Sequence, residues 1–208
     1  MNTPTLKTNR LILRKFTDDD ISALFDIYKD KEVNAYLPWF PLHSIQEAEA
    51  LFETHYKAAY LSPIGYQYAI CLKEDNIPIG YIKIDTDDSY DLGYGLRKEF
   101  WRRGIVSEAG KAIIAQVKKD RIPYLTATHD VNNLHSGYVL QSLGLDYKYS
   151  YKELWQPKNI PVIFRMYQLN LDGNTERIYL KYWNQYEEHF IEELHPCPLR
   201  VKSSLSSY

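Results

Sequence analysis

Along this chain the spacing of apolar positions switches between two and roughly three and a half residues, and each switch marks an element. Arg10-Leu11-Ile12-Leu13-Arg14-Lys15-Phe16 is β-rich and predicts a first strand. Thr17-Asp18-Asp19-Asp20 resembles a capping box, and Ile21, Leu24, Phe25 and Tyr28 continue it at helical spacing. Two prolines around an aromatic pair, Leu37-Pro38-Trp39-Phe40-Pro41, then form a stiff loop suited to capping the core or lining a cleft. Ser44-Ile45-Gln46-Glu47 opens a second helix running to about residue 60, where Ser62-Pro63 ends it. Residues 67–72, 79–86 and 90–96 read as three strands joined by short polar turns, which predicts an antiparallel meander.

A longer helix over 106–119 follows, with Val106, Ala109, Ile113 and Val117 on one face. The β-rich residues 124–128 form the next strand. A strand–helix–strand unit of this size is expected to be parallel and right-handed, which places strand 124–128 beside strand 90–96. Both then end at one sheet edge, where open α/β sheets bind ligands. A short helix ends near Leu143 with Gly144 as its C-cap, and 145–154 and 162–171 form a final hairpin. The expected architecture is α+β: a mixed, mostly antiparallel sheet of about seven strands flanked by helices. Beyond residue 171, Ile178, Tyr182, Trp183, Tyr186, Phe190 and Leu194 fall on one helical stripe. The expectation is a domain over 1–171 and an additional C-terminal helix within 172–208, packed on that domain or at an interface such as a homodimer. Residues 199–208 are expected to fray.

Composition narrows the function classes. At 208 residues, 45% hydrophobic and 25% charged, the chain has the make-up of a globular domain. Its net charge of −2 supplies no basic field for nucleic acid or an anionic membrane. Two cysteines, Cys71 and Cys197, are far apart and match no metal or disulfide framework, and no apolar run suits a signal peptide or membrane span. A reduced, cytoplasmic protein without a metal is the expectation. The 19 tyrosines suit strands, pocket walls and interfaces.

The stretch 90–109 concentrates the candidate chemistry. Tyr90-Asp91-Leu92-Gly93-Tyr94-Gly95-Leu96 reads as a strand whose glycines suggest a bulge or a close approach by another group. Gly104, flanked by Arg102 and Arg103 on one side and Ile105 on the other, precedes a helix. A helix start carries unpaired N–H groups and partial positive charge, so the segment has the form of an anion site. The motifs of P-loop and Rossmann nucleotide sites are absent, as are zinc-peptidase and hydrolase-elbow motifs.

In order and spacing, Arg10-Leu11-Ile12-Leu13-Arg14, Leu92-Gly93-Tyr94-Gly95-Leu96, Phe100-Trp101-Arg102-Arg103-Gly104-Ile105-Val106-Ser107-Glu108-Ala109 and Asn133-Leu134-His135-Ser136 resemble the GNAT superfamily of acetyl-CoA-dependent N-acetyltransferases. The opening residues and Trp101 resemble its ribosomal-protein N-terminal (alanine/serine) acetyltransferase branch. The resemblance spans about 6–171. It implies a pyrophosphate of acetyl-CoA held by backbone amides of Arg102, Arg103, Gly104, Ile105, Val106 and Ser107. It implies a pantetheine arm along Tyr94, Gly95 and Leu96, between strands that splay, with Asn133 orienting cofactor or substrate. Val106 departs from the family's small residue at the end of this loop.

Acetyl transfer to a primary amine, on a protein N-terminus or a small molecule, requires a base or water relay to take the amine proton. It needs no enzyme nucleophile. Asp91 is the leading base candidate, with His129 and His135 as alternatives. For the acid, Leu140 stands where many relatives carry tyrosine, and Ser136 is the substitute expected near the CoA sulfur. A CoA-binding sensory module without turnover is the alternative reading.

Overall fold

The computed structural model describes residues 2–194. β1 (Leu6–Lys7), β2 (Leu11–Arg14), β3 (Tyr66–Leu72), β4 (Pro78–Ile84) and β5 (Leu92–Leu96) form one antiparallel sheet in chain order. A second antiparallel sheet takes β6 (Tyr124–Asp130), β7 (Asp146–Trp155), β8 (Ile160–Asn170) and β9 (His189–Phe190) in the order β6-β8-β7-β9. The seven strands expected from the sequence are all present, and β1 and β9 add to them.

The expected single sheet is instead two sheets that meet at one parallel bridge, Asp91 to Thr126. At that point the Thr126 amide donates to Tyr90 O at 3.3 Å and the Thr126 hydroxyl to Ser89 O at 2.9 Å. Beyond it β5 and β6 share no further ladder. β6 is paired along its whole length with β8, from Tyr124↔Asn170 to Asp130↔Phe164, and this antiparallel ladder directs it away from β5.

Alternation along the strands sends residues to opposite faces. On one face, α4 (Ile105–Lys119) buries Ile105, Ala109, Ile113 and Val117 among Leu11, Leu13, Ile82 and Leu125. α5 (Leu134–Ser142) adds Leu140 to the same cluster. On the other face, α1 (Ile21–Tyr28) and α2 (Ile45–Leu51) cover the first sheet. α2 continues through a π-helical stretch, 52–57, into α3 (Ala58–Tyr60). Leu24, Phe52 and Tyr56 pack there on Ala69, Cys71 and Tyr81. Both expected helix starts carry side-chain bonds. Asp20 accepts from the Thr17 amide at 2.8 Å, and Ser44 Oγ accepts from the Glu47 amide at 3.2 Å. The Cys71 thiol is free and buried, and burial pushes its pKa up to about 12, so it is inert; Cys197 lies outside the described residues.

Two further expectations change. No bulge accompanies Gly93 and Gly95: the β4–β5 ladder runs unshifted from Ile84↔Leu92 to Gly80↔Leu96. Gly95 is required by its cross-strand partner, because a Cβ there would lie 2.5 Å from Tyr81 Cε1. The Tyr81 ring is buried and stacked on Tyr28 at 5.3 Å, so it has nowhere to withdraw. The predicted C-terminal helix also shrinks to α6 (Lys181–Gln185). Tyr186 is extended, and the chain then adds β9 to the free edge of β7. Backbone pairing and an ion pair between Glu192 and Arg165, 2.5 Å apart, replace the helical stripe. Tertiary contacts of this kind override a periodicity worth tenths of a kcal/mol per residue. The expected fraying of 199–208 concerns residues outside those described.

Gly95→Ala should lower unfolding stability by about 1–3 kcal/mol, the usual cost of overpacking. Urea unfolding checks this, and wild-type stability in the variant would exclude the Tyr81 contact as the reason for glycine.

Candidate active site at the parting of the two sheets

The site is built from the gap that opens between β5 and β6. Asp85 N donates to Asp91 O, and Arg97 N to Ile79 O, so odd-numbered residues of β5 bond β4. Even-numbered residues therefore turn their backbone groups toward the gap, as Tyr90 O does in accepting from Thr126. Of the three residues expected along the arm, Tyr94 and Leu96 face the gap and Gly95 faces β4. The Leu96 carbonyl is engaged by the Trp101 indole at 2.7 Å, which anchors the loop leading to α4.

That loop turns through two left-handed residues, Arg102 (φ 60°) and Gly104 (φ 69°). Gly104 is the N-cap of α4 and supplies no side chain, so the first amides of a 15-residue helix are left open for an outside acceptor. Arg10 braces the turn from outside, donating to Arg103 O at 2.9 Å and pairing with Glu108 at 2.7 Å. The Arg103 guanidinium lies over the Phe100 ring, 5.4 Å from its centroid, whereas Arg102 is exposed. Val106 points its bulk into the edge of the main core, and Ser107 hydrogen-bonds Ser142 at 3.1 Å. Beside this turn runs an open cleft of about 560 Å³ lined by Thr8, Gly104, Ser107 and Lys111.

Side chains of the candidate residues fall on opposite faces of the gap. Asp91, Gly93 and Gly95 look to the face of Lys83 and Tyr81, their ladder partners or neighbours. Tyr94 looks to the α4–α5 face, where its hydroxyl meets Ser136 Oγ at 2.7 Å. Burial raises the Tyr94 phenol well above its ordinary range, with Ser136 opposing, so it stays protonated. This Tyr94–Ser136 pair was not legible in the sequence, because the partners lie 42 residues apart. The one available signal was that Tyr94 shares a strand face with core residues Leu92 and Leu96.

Asp91 is half-buried at the bridge, with its carboxylate 3.5 Å from the Thr126 hydroxyl. Burial pushes its pKa up to about 7; Lys83 opposes the rise, and Asp85 and Asp87 add to it. The histidines sit elsewhere. His129 is buried on the α5 face, held by Asp130 O at 2.7 Å and tilted against Tyr167, and burial lowers its pKa. His135 makes an edge contact with Tyr138 on α5. Asn133 caps α5, accepting from the Ser136 amide at 3.3 Å, which fixes where Ser136 stands. Leu140 is buried in the core. Among the described residues no group of histidine, cysteine and carboxylate side chains could hold a metal ion, and no helix is long and apolar enough to cross a membrane.

The raised Asp91 pKa carries a stability signature. The folded state binds a proton more tightly than the unfolded chain, so Asp91 costs stability as pH rises from about 4 through 7. Asp91→Asn should therefore melt above the wild type at pH 8, with the gap closing as pH falls toward 4. Thermal melts across that range check it; a pH-independent gap would contradict the raised pKa.

Comparison with known proteins gives these features a family. Residues 10–146, more than half of the chain, match the Acetyltransferase (GNAT) domain model. The uncharacterized N-acetyltransferase YoaA of Bacillus subtilis is 30% identical over 116 residues, 54% of this chain and 65% of YoaA, so the match spans just under two thirds of that relative. A GNAT-family acetyltransferase from Bacillus anthracis superposes with a TM-score of 0.71 at 20% identity, covering 81% of this chain and 99% of that one. The ribosomal-protein α-N-acetyltransferase RimL, solved with coenzyme A, superposes at 0.66 with 18% identity, covering 82% and 100%. With a family model matched across both its sheet-parting strand β5 and the α4 start, the chain belongs to the GNAT acetyltransferase family.

Proposed function

We propose that this protein transfers the acetyl group of acetyl-CoA directly to a primary amine while both are bound. The observation that carries this reading is the Asp91 carboxyl, set at the one bridge that joins the two sheets and pushed by burial up to a pKa of about 7. Family membership and the coenzyme A bound to RimL support the donor.

The residues present fit such a donor. The open amides at Ile105, Val106 and Ser107, with the positive end of α4 behind them, suit a pyrophosphate. Arg102 and Arg103 add outlying positive charge. The backbone groups of Leu92 and Tyr94 on the gap side suit an amide-bearing arm. An α-amine has an ordinary pKa near 8 and a lysine amine near 10.4, so a base must accept a proton as the nitrogen attacks. Asp91, poised near neutrality, takes that proton directly or through a water. The nitrogen lone pair forms the new C–N bond, the C–S bond breaks, and its electrons leave on sulfur. On the opposite face, the Ser136 hydroxyl donates to that sulfur while its oxygen accepts from Tyr94. The products are an amide and CoA. Ser136, one turn earlier on the same helix α5, and Tyr94 on β5 thus take the role that a tyrosine at position 140 would fill.

Calorimetry should show acetyl-CoA binding in the micromolar range. Asp91→Asn should lower kcat/KM for the amine about 10²–10⁴-fold, the usual worth of a general base, with acetyl-CoA affinity unchanged. Wild-type kcat/KM should rise with pH up to about 7 and then level as Asp91 ionises. Full activity in Asp91→Asn would remove the base assignment, and absence of acetyl-CoA binding would remove the reading as a whole. In a separate measurement, Tyr94→Phe should lower kcat roughly ten-fold at unchanged acetyl-CoA affinity, the order expected for one hydrogen bond to a charged group.

A further inference from the structure

The described part of the C-terminal extension lies on the Asp91 face of the gap. Thr126, which bridges Asp91, shares a sheet face with Met166 and Phe164, and Tyr151 lies across from Phe164. Over that face the extension lays the rings of Tyr182 and Tyr186, stacked on Tyr151 at 5.0 and 4.9 Å. The Asp91 carboxylate is near enough to the Tyr151 and Tyr182 hydroxyls to raise both pKa values, after burial as the main cause.

This wall is fastened rather than loosely apposed. Tyr149 Oη donates to Tyr179 O at 2.7 Å, and the Tyr179 amide donates to Gln168 at 2.7 Å. Glu192 accepts from Arg165 and from Ser150. The far end is bridged too: Lys158 Nζ, on the β7–β8 loop, donates to Asn34 O at 3.0 Å and Ala35 O at 3.3 Å, in the segment after α1. This bridge ties the β7–β8 loop to the segment after α1.

Lys158, the cation of that bridge, spends its hydrogen bonds on two backbone carbonyls rather than on a carboxylate. Lys83 is spent on Asp85 at 2.7 Å, and among the described residues neither Asp91 nor Glu153 forms an ion pair. Glu153 is half-buried, which raises its pKa, with the Tyr186 hydroxyl opposing the rise. Half-buried tyrosine faces beside unpaired carboxylates attract cations.

We infer that the extension forms the acceptor-side wall of the site, and that it selects a compact amine carrying a second cationic group in preference to a polypeptide N-terminus. One positive end lies against Tyr182, Tyr186 and Glu153 while the other nitrogen meets Asp91. The inference rests on the acetyl-transfer reading above.

Release of CoA by the full chain is followed with 1,4-diaminobutane, with n-butylamine and with a tetrapeptide bearing a free N-terminus. The diamine should exceed butylamine in kcat/KM by about ten-fold or more, in keeping with a desolvated cation–π contact and one carboxylate, and should exceed the peptide. Glu153→Gln and Tyr182→Ala should each raise the diamine KM about five- to ten-fold, with kcat and acetyl-CoA KM little moved. Tyr182→Phe should restore the diamine KM, because the ring and not the hydroxyl faces the cation. Preferred turnover of the peptide, equal use of diamine and butylamine, or an unchanged diamine KM in Glu153→Gln would each overturn the inference and leave acetyl transfer standing. No CoA release with any amine would overturn both.

Discussion

Everything in this site depends on how little β5 and β6 hold each other. One bridge, Asp91 to Thr126, joins two sheets that are otherwise separately laddered. Had the pairing continued, the backbone groups of Leu92 and Tyr94 would be consumed by β6. Without the bridge, nothing would fix the distance at which the sheets part. Thr126 secures it twice over, by its amide to Tyr90 and its hydroxyl to Ser89. The left-handed turn at Tyr90 (φ 46°) sets Asp91 at that point, a conformation that a non-glycine residue adopts at some cost.

The parting also separates chemical roles by face. A strand sends alternate side chains to opposite sides, so Asp91 and Tyr94, three residues apart, necessarily diverge. In the proposed reaction Asp91 serves the side on which a proton is to be removed, and Tyr94 with Ser136 the side on which a leaving group needs a donor. Burial acts on both in the same sense, disfavouring charge. For the phenol this preserves a donor. For the carboxyl it brings the titration to neutrality, where a base can both hold and release a proton. That same burial makes Asp91 a local liability to the fold, the usual exchange of stability for function at such positions.

The segment beyond β8 packs a wall of rings against this framework. The family model ends at residue 146, where β7 begins, yet the chain goes on to contribute β7, β8, α6 and β9 to the sheet and wall beside Asp91. Its rings are not a free-standing stripe. They pack half-buried against β7 and β8 and are held by backbone pairing to the edge of β7, an edge that would otherwise invite association with another chain.

The sequence by itself determined the elements and their order, because apolar spacing, caps and turns act over a few residues and are read locally. It also determined the open helix start at α4, since Gly104 before an apolar-striped helix is a local feature. Local pattern was silent on which strands pair along their full length and which touch once. That choice arose from competition among distant segments, and β8 won β6. For the same reason the partners of Tyr94, 42 residues away, and of Gly95, across the ladder at Tyr81, were decided only by register. The stripe over 178–194 was the one place where local period misled. A five-residue helix and a strand bury its tyrosines and tryptophan against β7 and β8, because an open strand edge and Arg165 offered bonds that a helix could not make.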